Sequence, residues 1–118
     1  DQKLLSDKYY SEVKSKAFFR RGYSLNKIRY NLIKKGIDEK YIKSSISKIK
    51  ADESDPDFFS AIRICKKRRI GPCREESNRT LFYKKDISIL ARSGFSYEIS
   101  KQVLEMPKEE FNKFYKML

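Results

Sequence analysis

The chain has 118 residues and a formal net charge of +12, because 28 Lys and Arg stand against 16 Asp and Glu. It has no histidine, so it lacks the commonest general base, and its two cysteines cannot fill a tetrahedral zinc site by themselves. We therefore expect a protein that is not an enzyme, needs no cofactor or metal, and binds an acidic partner. No run of residues approaches the ~18 apolar positions of a membrane span, so no membrane partner is expected.

The composition favours an all-α fold, since four Gly and three Pro provide few of the turns that β-hairpins need. Asp1 opens the chain in place of methionine, which we expect of a processed product or of part of a longer protein. The sequence shows no leader peptide and no dense cysteine framework. Cys65 and Cys73 are therefore expected to be free thiols in a cytoplasmic protein.

One short motif occurs three times: Gly22-Tyr23-Ser24, Gly36-Ile37-Asp38 and Gly94-Phe95-Ser96. In each copy the glycine supplies the left-handed residue that ends a helix, and Ser or Asp caps the next helix. In the first two copies the apolar residue four positions after the cap can pack on the apolar residue that directly precedes the cap. The motif therefore predicts three sharp corners between helices.

Apolar residues at helical spacing predict a three-helix unit in residues 1–52. The stripes consist of Tyr10, Val13 or Ala17, and Phe18; Leu25, Ile28 and Leu32; and Ile42, Ile46 and Ile49. A second unit is predicted in residues 53–106, because Asp55-Pro56 places proline at the first position of a new helix.

The second unit repeats the plan of the first. Its first helix carries Phe58, Ile62 and Cys65 and ends at Ile70-Gly71-Pro72-Cys73; a longer helix carries Leu81, Ile87, Leu90 and Ala91; a third carries Ile99 and Val103. Residues 107–118 predict a helical extension that docks through Phe111, Phe114 or Tyr115, and Leu118. The expected architecture is a tandem array of three-helix repeats that is elongated and curved.

The positive charge is concentrated in two runs without any acidic residue. Residues 13–37 hold Lys14, Lys16, Arg20, Arg21, Lys27, Arg29, Lys34 and Lys35, and residues 58–74 hold Arg63, Lys66, Lys67, Arg68, Arg69 and Arg74. Like charges repel, which favours an anionic partner over a merely solvated helix face. All of these cations except Arg74 are candidate contacts to nucleic acid or to an acidic protein.

The aromatic residues fall into two groups. Phe18, Tyr23 and Phe58 lie on the predicted core stripes or corners, so packing is the favoured role for them. Tyr9, Tyr30 and Phe59 lie off the stripes, and base stacking remains open for these three.

The first acid-free run resembles the second repeat of RecX proteins, the bacterial regulators of the RecA recombinase. The similar residues are Arg20-Arg21-Gly22-Tyr23-Ser24, Ile28-Arg29, Leu32, Lys35-Gly36-Ile37 and Ile42. Leu5-Ser6-Asp7 with Tyr9-Tyr10 resembles the approach to that repeat. Asp57-Phe58-Phe59, Lys66-Lys67, Phe82, Gly94-Phe95 and Ile99 resemble the third repeat.

The resemblance implies a monomeric regulator that binds along the RecA filament on single-stranded DNA, with weaker direct binding to DNA. It also implies inhibition of recombination, ATPase and coprotease activity within DNA repair and the SOS response. Proteins of this family have three three-helix repeats, of which this chain matches the second and the third.

Two other readings remain open. A helix-turn-helix transcription factor is suggested by the glycine corner before the basic helix of residues 25–35, and it predicts sequence preference on duplex DNA. A helical adaptor for another protein would show no salt-dependent affinity for nucleic acid.

Overall fold

The computed structural model describes the backbone of residues 2–118 and the side chains of residues 7–118. All of the regular secondary structure in this part of the chain is helical, which confirms the predicted all-α class. Asp1 lies outside the described residues. So do the side chains of Leu5 and Ser6, two residues on which the resemblance to RecX proteins is based.

Eight α-helices follow one another along the described chain. They are α1 Gln2–Arg20, α2 Leu25–Lys34, α3 Glu39–Asp52, α4 Pro56–Arg68, α5 Glu76–Leu81, α6 Tyr83–Arg92, α7 Tyr97–Leu104 and α8 Lys108–Lys116, with a 3-10 turn at Gly71–Cys73. The molecule measures 57 × 25 × 20 Å, so it is elongated as expected. The described helices are all too short or too polar to span a lipid bilayer. The curvature of the array stays a prediction.

The three glycine corners form as predicted. Gly22, Gly36 and Gly94 adopt φ angles of +91°, +77° and +91°, a region that L side chains rarely enter. In each corner the cap oxygen accepts a hydrogen bond from a backbone amide two or three residues later: 3.1 Å at Ser24, 3.0 Å at Asp38 and 3.2 Å at Ser96. These local bonds begin α2, α3 and α7 at the predicted residues.

A first core lies among α1, α2 and α3. Its buried residues are Phe19, Ile28, Leu32, Ile37, Ile42, Ile46 and Ile49. The stripe predicted for α1 is confirmed in part: Tyr10 and Phe18 pack against this core, whereas Val13 is 45% exposed and the buried residue Phe19 is not on the predicted stripe. Phe18 is half-buried instead, with its ring stacked on Tyr23 at a centroid distance of 4.8 Å.

A second core lies among the helices from α4 onward. Its buried residues are Phe58, Ala61, Ile62, Cys65, Ile70, Leu90, Phe95, Val103, Leu104, Met106 and Phe111. Phe111 belongs to α8, which therefore packs on the second unit, whereas Leu118 is exposed. Each core draws on one of the predicted units, and the assignment of these units to repeats stays a prediction.

The longer helix predicted in the second unit is wrong. The chain turns at Phe82, whose backbone leaves the helical region at φ −101° and ψ 10°, so α5 and α6 are separate helices. Leu81 and Ala91, expected on the apolar stripe, are exposed. The turn places the Phe82 ring 4.3 Å from the guanidinium carbon of Arg74. The spacing of apolar residues along a helix does not predict this contact, because Arg74 lies before α5 and Phe82 lies after it.

Candidate functional site

The two acid-free runs meet in one open groove of about 1210 Å³, which we name the basic groove. Its lining residues come from the end of α1, from α4 and the turn after it, and from α8 and the last residues. They are Arg20, Arg21, Arg63, Lys66, Lys67, Arg69, Cys73, Tyr115, Lys116 and Leu118. Every charged side chain in this set is cationic, so the groove provides a field that attracts anions.

Gly22 permits the close approach of α1 to α4 that forms the groove. A Cβ atom on this glycine would lie 3.1 Å from Cγ1 of Ile64 and 3.3 Å from Cβ of Arg63. Glycine is therefore favoured at position 22 for two reasons: its φ is positive, and a side chain there would crowd Ile64 and Arg63 of α4. As a result, Arg20 and Arg21 at the end of one helix lie beside the cations of another.

Arg63 is half-buried, whereas the other cations of the groove are exposed. Its guanidinium carbon lies 5.1 Å from the centroid of the Phe19 ring, a distance typical of a cation–π contact. Its Nη1 is buried and has no hydrogen-bond partner among the described residues. Arg63 also lines a second, smaller depression of about 370 Å³ on the other side, between α1 and α3.

Helix α8 provides one wall of the basic groove. Nζ of Lys66 lies 5.2 Å from the centroid of the Tyr115 ring, and Lys116 adds a further cation. The sequence predicted that α8 docks, and it named Tyr115 only as a packing residue. It missed both residues as part of a binding site, because periodicity does not show which helix an extension packs against.

Seven predicted contact residues lie outside the basic groove. Lys14, Lys27 and Lys34 each lie over a tyrosine ring, at 5.8, 4.2 and 5.6 Å from the centroids of Tyr10, Tyr23 and Tyr30. Lys35 and Arg68 are exposed at the ends of α2 and α4. The structure thus brings together six of the thirteen predicted cations.

Lys16 lines the smaller depression, which carries both signs of charge. Glu12 and Asp52 are also in its lining. The Glu12 carboxylate accepts a hydrogen bond of 2.6 Å from Lys48, which lowers the pKa of Glu12. Because its charges are partly compensated, this depression is a weaker candidate for an anion than the basic groove.

Two arginines of the acid-free runs are already paired. Arg29 forms an exposed ion pair with Glu39, so the expectation that no carboxylate compensates these cations is wrong at this position. Arg74 forms a two-pronged pair with the buried carboxylate of Asp86, at 2.8 and 2.9 Å. Asp86 also accepts a hydrogen bond of 3.0 Å from the Gly71 amide. Arg74 therefore supports the fold of the second unit.

The start of α2 is covered by the second unit. The Leu25 amide donates a hydrogen bond of 2.8 Å to the Asp57 carboxylate, and the Ser24 hydroxyl donates one of 2.7 Å to the Ser93 carbonyl. A helix-turn-helix protein reads bases with the first residues of its recognition helix. In this chain these two bonds hold the N-terminus of α2 against the second unit, while Asn26 and Tyr30 of the same helix stay exposed.

Neither cysteine is activated for chemistry. Both are free thiols, as expected. Burial raises the pKa of Cys65 and of Cys73, which keeps both in the unreactive protonated form near neutral pH.

Comparison with known proteins identifies the relatives of this chain. It is 32% identical over 108 residues to "Regulatory protein RecX" of Myxococcus xanthus, an alignment that covers 86% of this chain and 54% of the relative. It is 29% identical over 108 residues to the protein of the same name from Agrobacterium fabrum, covering 92% and 55%. For that of Clostridium perfringens the identity is 27% over 101 residues, covering 86% and 46%.

No protein-family model matches the chain, and no solved structure matches it. The chain spans about half the length of the curated relatives it matches. These relatives carry one name, and their similarity extends over most of the chain, including both glycine-cornered units. The chain belongs to the RecX family of regulatory proteins.

Proposed function

We propose that this chain regulates the RecA recombinase by binding along the RecA filament on single-stranded DNA, and that it mostly inhibits recombination, ATPase and coprotease activity. The regulatory part of the proposal is supported by the name that its relatives share. The chain acts by binding, without chemistry of its own, and as a monomer in the cytoplasm. Residues 1–52 and 53–106 act as two consecutive repeats along the filament.

The basic groove carries this proposal. It joins Arg20 and Arg21 to cations more than 40 positions away, and none of its lining side chains that the structure describes is acidic. Like charges that lie so close together repel one another and destabilise the fold, and a bound anionic partner would offset this repulsion. The phosphates of the DNA inside the filament, or acidic side chains of the recombinase, have the required charge.

The shape of the molecule supports contact along a filament. The long axis of 57 Å is more than twice either of the other dimensions. The groove lies where the first unit meets the second, so a partner bound there contacts both units. An elongated body bound at its middle can reach neighbouring positions on a helical track.

The test is co-sedimentation with RecA assembled on single-stranded DNA. Free single-stranded DNA and RecA without DNA are the controls. We expect more of the chain to pellet with the filament than with either component alone. Equal pelleting with the filament and with free DNA would show that the filament is not the preferred partner, and the proposal would fail.

The helix-turn-helix reading makes a different prediction. It requires strong preference for one duplex sequence, whereas groove binding to phosphates gives little preference. The hydrogen bonds that Leu25 and Ser24 make to the second unit favour the second outcome. A competition titration between random and selected duplexes distinguishes the two, and a selected sequence that competes far better than random DNA would favour the transcription factor.

A further inference from the structure

We propose that Arg63 is the anchor of a phosphodiester site within the basic groove, and that its guanidinium holds one backbone phosphate of a nucleic acid by paired hydrogen bonds. The surrounding lysines and arginines then act mainly through their charge. This inference deepens the proposed function and rests on it only in taking a nucleic acid as the partner.

Arg63 differs from the other half-buried arginines of the described chain. Arg29 and Arg74 are ion-paired with Glu39 and Asp86. Arg79 donates to the carbonyls of Leu104 and Met106, at 2.9 and 2.6 Å. Arg63 makes no ion pair and no hydrogen bond with any residue that the structure describes, although its Nη1 is buried.

The protein holds the Arg63 side chain in place from two directions. The Phe19 ring lies 5.1 Å from the guanidinium carbon, and Gly22 lies against the first part of the side chain. A planar guanidinium that is already held in position loses little conformational freedom when it binds a ligand. Because the buried Nη1 is closed to an outside ligand, the paired bonds to a phosphate come from Nε and Nη2, which are not buried and have no partner among the described residues.

The charge around Arg63 determines the kind of acceptor. On the groove side Arg20, Arg21, Lys66 and Lys67 are exposed cations, and none of the described lining residues is acidic, whereas Glu12 and Asp52 line the smaller depression on which Arg63 also lies. A neutral acceptor would leave this field uncompensated, whereas a phosphate has both the charge and the paired oxygens that fit a guanidinium. Successive phosphates of a single strand can then contact the exposed cations on either side.

The test compares two substitutions that keep the charge. Arg63→Lys removes the planar fork at the half-buried position in the groove, and Arg92→Lys makes the same change at an exposed position outside the groove. Binding of an oligothymidylate single strand is measured by fluorescence anisotropy at several salt concentrations. We expect Arg63→Lys to weaken binding about tenfold, since Lys cannot form the paired bonds. We expect Arg92→Lys to change affinity by less than about twofold, because it keeps the net charge and lies outside the groove.

The salt dependence is expected to stay the same in both variants, because each keeps the number of cations. Equal affinity of Arg63→Lys and the wild type would overturn the assignment. So would an equal loss in both variants, which would mean that the loss does not depend on where the arginine lies.

A second measurement keeps the proposal open to refutation if Arg63→Lys fails to fold. The guanidinium Nε–H signal of Arg63 is followed by nuclear magnetic resonance in the wild type during titration with oligothymidylate, inorganic phosphate or polyglutamate. We expect saturable shifts with the first two and a much weaker response to polyglutamate. An unmoved Arg63 signal, or an equal response to polyglutamate, would contradict a phosphodiester site.

The two proposals can fail separately. If the chain shows no preference for the RecA filament but binds oligothymidylate through Arg63, the proposed function fails and the phosphodiester site stands. If the filament is preferred and Arg63→Lys binds both partners normally, only the site assignment fails.

Discussion

The Asp57 carboxylate accepts a hydrogen bond of 2.8 Å from the backbone amide of Leu25. Asp57 lies in the first turn of α4 and Leu25 is the first residue of α2, so this bond joins the two helical units. The lining of the basic groove comes from α1 in the first unit and from α4 and α8 on the side of the second unit. The cations of the basic groove therefore lie close together only as long as bonds such as Asp57 to Leu25 hold the two units against each other.

Asp57 should make stability depend on pH in an unusual direction. Burial raises the pKa of its carboxyl above the ordinary value of 3.8, against the opposing effect of the Leu25 amide. The folded state therefore binds this proton more readily than the unfolded chain. The resulting stabilisation is fully present below pH 3.8 and is lost as the pH rises through the raised pKa.

The free energy of unfolding is measured against pH for the wild type and for Asp57→Asn, which does not titrate. As the pH falls from neutral through this window, the wild type should gain stability relative to the variant. Subtracting the two curves removes the other carboxylates. A difference that moves in the variant's favour would show that Asp57 has a lowered pKa in the fold.

Gly94 tests the packing between the units. A Cβ atom there would lie 2.4 Å from the Ser24 hydroxyl oxygen, whereas one on Gly36 would meet nothing within 4 Å. Both glycines have positive φ, so alanine at either position costs about 1–2 kcal/mol of backbone strain. Gly94→Ala should cost about 1–3 kcal/mol more than Gly36→Ala because of the clash. Chemical unfolding measures both, and equal losses would contradict the close approach.

Arg74 is expected to matter for stability although it belongs to an acid-free run. Arg74→Gln leaves the Asp86 carboxylate, which is 1% exposed, without its ion-pair partner. Such a loss costs about 3–5 kcal/mol. The exposed Arg92→Gln, the matched control, should stay within about 0.5 kcal/mol of the wild type. Urea unfolding followed by circular dichroism measures both, and a stability loss as small as that of the control would contradict the structural role.

The two thiols should report on occupation of the basic groove. Cys73 lines it, whereas Cys65 is in the second core. Since burial raises both pKa values, reaction with a thiol reagent at neutral pH should be slow in the folded protein and faster at Cys73. Oligothymidylate should slow Cys73 further by covering it. Mass spectrometry follows each site, and reaction of Cys73 at the same rate with and without the oligonucleotide would contradict its place beside the ligand.

The local parts of the fold could be predicted because their causes are local. A glycine, an apolar residue and a cap stand next to one another in each corner, and the cap bonds reach only two or three residues. The apolar stripes of α2 and α3 follow from helical periodicity in the same way. The turn at Phe82 accompanies contacts between residues that are not neighbours in the chain. Arg74 contacts both the Phe82 ring and the Asp86 carboxylate, and no periodic pattern of apolar residues predicts these contacts.

The candidate site could be predicted only in part for the same reason. The sequence shows which residues are cationic, and two acid-free runs indicate an anionic partner. It does not show that Arg29 meets Glu39 across a corner, or that α8 brings Tyr115 to Lys66. Which cations converge depends on bonds such as Ser24 to Ser93, which are 69 positions apart in the chain.

Charge reversal in the basic groove tests the central claim most directly. Arg20→Glu combined with Lys67→Glu is compared with Lys43→Glu combined with Lys101→Glu, which makes the same change in net charge at exposed positions outside the groove. Sedimentation with RecA on single-stranded DNA measures binding of both. The groove variant should lose affinity more than about tenfold, while the control stays within about twofold of the wild type. Equal binding by the two variants would show that only the overall charge matters and that the groove is not the binding surface.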